Sequence, residues 1–191
     1  MKRISHKLTA LSLAFSFFFS SCAADQGEIA ALCDHLKNLG EEKYLAHITA
    51  VFPKREVSFS LEYRFSPQND DRVKVIAPEE IAGIAFSVSE DDSTLEFDGA
   101  RLTMGSLDTS GTSPLSAIPS LISVWRGGNF DEALSSDING EDAYLMIYRN
   151  KNEKNEFEYR TWFSKNDFSP LYAEIYIGGI RVIECNFERM R

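Results

Sequence analysis

The stretch Val57-Ser58-Phe59-Ser60-Leu61-Glu62-Tyr63-Arg64-Phe65 decides the fold class. Its apolar residues occupy every second position, with polar residues between them. This period of two is typical of a β-strand with one face in a core and the other in water, whereas a helix would repeat every three to four residues. The stretch therefore predicts a strand of an antiparallel sheet that is covered on one face only.

The same alternation recurs along the chain, with short turns between the runs. Asp98-Gly99 and Asn139-Gly140 are the sharpest hairpin signals, and Gly178-Gly179 marks a tight hairpin or a bulge. Strands joined by such short turns run antiparallel. Besides 57–65, the predicted strands are 44–52, short segments around Val73, Phe86, Leu95 and Leu102, and then 142–150, 156–164, 170–177 and 179–187.

Two segments have the period of a helix instead. In the first, Asp25 and Glu28 resemble a capping box, and the helix ends near Gly40. In the second, Ser113-Pro114 is typical of a helix start, and Gly127-Gly128 ends it. Pro119 lies inside the second segment, which predicts two short helical turns rather than one helix. The apolar stripes are Ile29, Leu32, Cys33 and Leu36 in the first segment, and Leu115, Ile118, Leu121, Ile122 and Trp125 in the second.

These elements predict a mainly β (α+β) domain: one curved antiparallel sheet, or open half-barrel, of about 9–11 strands. The N-terminal helix and the mid-chain helical segment would cover its concave face. The helices carry few large side chains, so a cavity on that face could remain partly empty and take a ligand. The alternative, that the aromatic residues simply pack as core, stays open. The candidate cavity-lining residues are Phe59, Tyr63, Phe65, Phe86, Phe97, Trp125 and Tyr144.

The N-terminus has the features of an export signal. Lys2, Arg3 and Lys7 precede an apolar run from Leu8 to Phe19, which is about a dozen residues where a membrane-spanning helix needs roughly 20. The stretch Phe19-Ser20-Ser21-Cys22 then resembles a bacterial lipobox. This resemblance implies cleavage before Cys22 and attachment of diacylglycerol and acyl chains, such as palmitate, to that cysteine.

This resemblance sets the predicted boundaries and the location of the protein. Residues 1–21 form the lipoprotein signal peptide, residues 22–27 a short tether, and residues 28–191 the folded domain. The predicted partner is the membrane, through the lipid on Cys22. The chain would be anchored to the cell membrane on its extracytoplasmic side, or to the outer membrane if the organism has one.

The charge of the chain argues against two classes of partner. Residues 1–21 hold three of the 20 basic residues and no acidic ones, which leaves 17 basic against 29 acidic residues and a formal net charge of −12. An acidic surface repels nucleic acid and anionic head groups. No nucleic acid partner and no polybasic membrane patch are therefore predicted.

Two further cysteines, Cys33 and Cys185, form an even pair in an exported chain. Both fall on apparent core-facing positions, one in the first helix and one in the last strand. A disulfide between them and a pair of buried thiols are both compatible with the sequence.

The sequence contains no catalytic or metal-binding signature, so we expect neither an enzyme nor a cofactor. His35 and His47 lie in no recognisable catalytic setting, and there is no G-x-S-x-G motif. The segment from Asp137 to Asp142 lacks the acidic first ligand and the final bidentate Glu of a calcium loop, and is interpreted as an Asn-Gly turn. The acidic run 90–92 is interpreted as a solvated hairpin.

A family resemblance joins these features. The lipobox, the first helix, the consecutive strands and the mid-chain helix, together with Arg72-Val-Lys-Val-Ile-Ala-Pro-Glu-Glu-Ile-Ala-Gly and Leu95-Glu-Phe-Asp-Gly, resemble the LolA/LolB superfamily of lipoprotein carriers and its Gram-positive lipoprotein relatives. The resemblance implies an open half-barrel lidded by helices, with an apolar cavity for the acyl chains of a lipid or a lipoprotein. No residue of this chain is matched to the family's carrier arginine.

The predicted function is therefore a membrane-anchored lipoprotein that binds a lipid or another hydrophobic ligand in the concavity of a half-barrel. The alternative is a non-enzymatic interaction or structural lipoprotein of the envelope whose core is filled by its own side chains.

Overall fold

The computed structural model describes residues 26–88, 92–105, 111–152 and 155–190. They form one open antiparallel sheet of eleven strands with two helices, which confirms the predicted fold class. The helices are α1 (Gln26–Lys37) and α2 (Pro114–Gly127), and a 3-10 turn spans Glu79–Ile81. The strands are β1 (Glu42–Phe52), β2 (Arg55–Phe65), β3 (Asp71–Ala77), β4 (Ala85–Val88), β5 (Ser93–Phe97), β6 (Ala100–Gly105), β7 (Glu132–Ile138), β8 (Glu141–Lys151), β9 (Glu156–Ser164), β10 (Pro170–Ile177) and β11 (Ile180–Arg189).

The first and last strands lie side by side in the middle of the sheet. The strand order is β6-β5-β4-β3-β2-β1-β11-β10-β9-β8-β7, so the first and last strands pair with each other, and β6 and β7 are the edges. The predicted hairpin turns are confirmed, because both residues of Asp98-Gly99 and of Asn139-Gly140 have positive φ angles. That geometry matches the twist of the strands it joins.

One face of the sheet, called here the inner face, carries the core. In β2, Leu61, Tyr63 and Phe65 are buried on this face, as the period of two predicts. Ile183 and Cys185 of β11 are buried with them. Helix α1 adds Ile29, Leu32 and Leu36 to the same cluster.

Helix α2 fills the inner face as one continuous helix, so the predicted break at Pro119 is wrong. Ser113 caps its start through the Ser116 backbone N–H, and Gly128, in a left-handed conformation, ends it. Trp125 is only 1% exposed. Its indole N–H donates to Thr161 Oγ1 at 2.9 Å. This tertiary burial outweighs the backbone hydrogen bond that Pro119 cannot donate.

The other face, called here the outer face, holds a row of ion pairs across its C-terminal strands. Arg149 lies 2.8 Å from Glu158, which also pairs with Arg160 at 2.6 Å. Burial acts to raise the pKa of Glu158, but hydrogen bonds from the two arginines outweigh it and hold that pKa below its ordinary value. Glu174 accepts from Arg181 at 2.8 Å. On these strands, charged side chains of the outer face therefore pair with one another.

Candidate functional site

A groove runs along α1, at the edge of the packed core. It has a volume of about 700 Å³, is open to solvent, and lies between α1 and the segment that leads from α2 into β7. A volume of this size is within the usual range of small-molecule sites. The lining residues are Gln26, Ile29, Ala30, Cys33, Asp34, Lys37, Gly128, Phe130 and Ala133.

One side of the groove is a second stripe of α1, distinct from the stripe that enters the core. Gln26, Ala30, Cys33 and Lys37 recur at helical spacing and so share one face of the helix. The middle of this stripe is small and apolar, and its two ends are polar. A groove of this kind suits an elongated ligand that is apolar along most of its length.

The opposite wall begins where α2 ends. Gly128 has a φ of 68°, and a Cβ added there would lie 2.5 Å from Lys37 Cε. The missing side chain therefore gives Lys37 room to lay its stem over the end of α2. Phe130 contributes an aromatic ring that remains 37% exposed, and Ala133 is the second residue of β7.

Helix α1 is held by one contact to the sheet near its start and by another, near its end, to the turn between β9 and β10. The hydroxyl of Tyr144, in β8, donates to the carboxylate of Glu28. Near the other end, the rings of His35 and Phe168 lie 5.8 Å apart. These contacts keep α1 docked and so fix one wall of the groove.

Cys33 and Cys185 are free thiols in the structure, and a disulfide between them stays a prediction. Cys33 is partly buried at the groove, and burial raises its pKa, while the neighbouring Lys37 acts in the opposite direction. Cys185 is fully buried in β11, and burial raises its pKa strongly. Neither thiol is in the reactive, electropositive setting of a nucleophilic cysteine.

The sequence-predicted aromatic residues do not line this groove. Tyr63, Phe65, Phe86, Trp125 and Tyr144 belong to the buried core, and Phe59 is partly buried against it. Phe97 is 48% exposed, at the end of β5. The structure therefore places six of the seven in or against the core and brings a different set of residues together around the groove.

A polar cluster on the outer face was not predicted from the sequence. His47 Nδ1 lies 3.0 Å from Ser60 Oγ, because the two residues pair directly across β1 and β2. His47 Nε2 lies 3.6 Å from Glu188 Oε1. A Ser–His–Glu arrangement resembles a hydrolytic triad, but His47 and Glu188 are about half exposed or more. We interpret the three residues as solvated side chains that pair across neighbouring strands.

Cys22, the proposed lipidation site, and Asp25, the proposed helix cap, lie outside the described residues. Within the described ranges, no three side chains of the His, Cys, Asp and Glu types are grouped closely enough to hold a metal ion. Neither helix in that part of the chain has the length and apolar character needed to span a bilayer.

Comparison with known proteins shows similarity at the level of the fold. No protein-family model and no curated protein matches the chain. An uncharacterized conserved protein from Thermus thermophilus is similar at 13% identity, with 86% of this chain and 87% of that chain covered and a TM-score of 0.51.

Two further solved structures are similar at a lower TM-score. A LolA superfamily protein from Nitrosomonas europaea is 14% identical, with 88% and 94% of the two chains covered and a TM-score of 0.46. The lipoprotein LppX from Mycobacterium tuberculosis is 16% identical, with 85% and 92% covered and a TM-score of 0.47. At these identities the likeness concerns the fold alone.

Proposed function

We propose that this protein is a membrane-anchored bacterial lipoprotein of the cell envelope that binds a lipid or another hydrophobic ligand in the groove along α1. The groove itself carries the proposal: about 700 Å³ with an apolar middle formed by residues such as Ile29, Ala30 and Phe130. Binding sites for small apolar molecules typically combine such a lining with a few polar groups at defined places.

The N-terminal sequence supports the anchoring half of the proposal. Cys22 stands four positions before Gln26, which lines the groove. Four extended residues reach at most about 14 Å. A lipid on Cys22 would therefore keep the Gln26 end of the groove close to the bilayer, where hydrophobic ligands are concentrated.

A second candidate is a non-enzymatic interaction or structural lipoprotein with a self-filled core. One observation favours it: Trp125, Tyr63 and Tyr144 are packed on the inner face with almost no exposed surface. The two candidates differ in what they predict for the groove, because only the first predicts that a ligand binds there.

Filling the groove tests the first candidate. Ala30→Trp places an indole in the groove, and we expect the affinity for a fluorescent fatty acid to fall at least tenfold, because the bulky ring excludes the acyl chain. Ala31→Trp is the matched control, since Ala31 is exposed on the same helix but is not among the lining residues. The measurement is a fluorescence titration of the mature chain carrying Cys22→Ala. Equal affinities in the two variants, or no saturable binding to the parent chain, would contradict the proposal.

A further inference from the structure

We propose that the groove selects single-chain amphiphiles with an anionic head, a carboxylate or a phosphate, and that Lys37 binds that head. This inference rests on the proposed function and adds the chemical class of the ligand to it. A fatty acid is the simplest member of the class. Lys37 would act as the specificity-determining residue, and the apolar stripe of α1 would hold the chain.

The two ends of the groove differ in chemistry, since one carries the neutral amide of Gln26 and the other the ammonium of Lys37. Gln26 and Lys37 lie at opposite ends of α1, eleven residues apart, which corresponds to about 16 Å along a helix axis. Ala30 and Cys33 lie between them on the same face. An extended chain placed along this face would meet apolar groups in its middle and the ammonium group of Lys37 at one end.

Lys37 is available to bind an anion. No Asp or Glu in the described ranges lies within ion-pair distance of Lys37, and the other lysines of those ranges share this property. What sets Lys37 apart is its position, because it is the one lysine among the residues that line the groove. The stem of Lys37 lies over Gly128, which also lines the groove.

The surroundings of Lys37 stabilise its positive charge but do not by themselves attract an anion. It lies in the last turn of α1 and against the end of α2, and the negative ends of two helix dipoles favour a positive charge there. Asp34 adds a carboxylate to the same end of the groove, and its Oδ1 accepts from Asn38 Nδ2 at 3.2 Å. An anionic head would therefore bind on the Lys37 side, through a charge-assisted hydrogen bond that an alcohol cannot match.

The experiment compares head groups on one chain length. An uncharged naphthylamine dye is bound to the mature chain carrying Cys22→Ala and is then displaced, below micellar concentrations, by palmitate, hexadecyl phosphate, hexadecanol or hexadecyltrimethylammonium. We expect palmitate or hexadecyl phosphate to displace the dye at a roughly tenfold lower concentration than hexadecanol, with the cationic amphiphile weakest. The order of the two anions distinguishes a carboxylate ligand from a phosphate ligand. The preference for the anionic amphiphiles over hexadecanol should become smaller at high salt, because the ammonium is partly exposed and its charge is screened.

Two variants complete the test. Lys37→Met keeps an apolar side chain of similar length and should abolish the preference for anions while hexadecanol displaces the dye as before. Lys54→Met, at the exposed turn between β1 and β2, should keep the full preference. Equal displacement by palmitate and hexadecanol, or an unchanged preference in Lys37→Met, would overturn the inference and leave the proposed function standing. If the dye and all four amphiphiles failed to bind the parent chain, the proposed function would fall as well.

Discussion

Replacing Trp125 with alanine is expected to lower the free energy of unfolding by about 3–5 kcal/mol, the usual cost of removing a large aromatic side chain from a core. Trp125 is the largest fully buried side chain that α2 contributes to the core. Its ring packs edge-on against Phe163 and Phe187, with centroids 5.2 and 6.0 Å away. The substitution would leave a cavity and also remove the indole N–H that donates to the buried Thr161 hydroxyl. Urea denaturation followed by circular dichroism measures the loss.

Trp162 provides the matched control, because it lies one position from Thr161 and therefore on the opposite face of β9. It is partly exposed, its ring lies 5.3 Å from that of Tyr172, and its N–H donates to Ser136 at 3.2 Å. Trp162→Ala should cost about 1–2 kcal/mol, since only part of the ring is withdrawn from water. Equal losses in the two variants would contradict the assignment of Trp125 to the centre of the core.

Replacing Cys22 with alanine is expected to move the protein from the membrane fraction to the soluble extracytoplasmic fraction almost completely. The proposed lipid supplies two or three acyl chains, which suffice for stable attachment, and removing them leaves an acidic domain with no affinity of its own for anionic head groups. Fractionation followed by immunoblotting measures the shift. Labelling with radioactive palmitate gives a second measurement, in which the parent chain should be labelled and the variant should not.

Cys33→Ala is the control for this experiment, because it removes a thiol from α1 without touching the proposed lipobox. That variant should stay in the membrane fraction and remain labelled. Continued membrane association of Cys22→Ala, or palmitate label in it, would show that Cys22 is not the anchor.

The residue pattern predicted most of the sheet because most strands have one buried and one solvated face. In β1 and β2 the period of two is nearly unbroken, and the positive-φ turns at Asp98-Gly99 and Asn139-Gly140 mark where strands reverse. Strand β7 did not show this signal. Its sequence, Glu-Ala-Leu-Ser-Ser-Asp-Ile, is mostly polar because it lies at an edge of the sheet and buries little.

Pro119 and the aromatic residues show where tertiary packing, rather than local sequence preference, determines the structure. Pro119 weakens α2 locally, yet the buried stripe that ends in Trp125 keeps the helix continuous. The aromatic residues of the inner face were correctly placed on that face, but their pattern could not tell a packed core from a lined cavity. That distinction depends on how closely α2 approaches the sheet, and no residue period encodes it.

The groove was missed because its residues are not conspicuous in the sequence. Ala30 and Ala133 are small, and Gly128 contributes only because it has no side chain and so leaves room for Lys37. The two sides of the groove are also about a hundred positions apart in the chain. The available signal was a second stripe on α1, from Gln26 through Ala30 to Lys37, beside the stripe that enters the core. Only the docking of the segment after α2 turns that stripe into one wall of a site.

The claim that the groove holds a hydrophobic ligand is tested most directly by the lipid that stays bound to the protein from its own cells. The mature chain carrying Cys22→Ala, and the same chain with Ala30→Trp added, would be purified without detergent, extracted with organic solvent and analysed by mass spectrometry. We expect about one molecule of a single lipid class for each molecule of the parent chain, and a loss of most of it in the Ala30→Trp variant. Lipid-free protein in both preparations, or equal amounts of lipid in the two, would contradict the account.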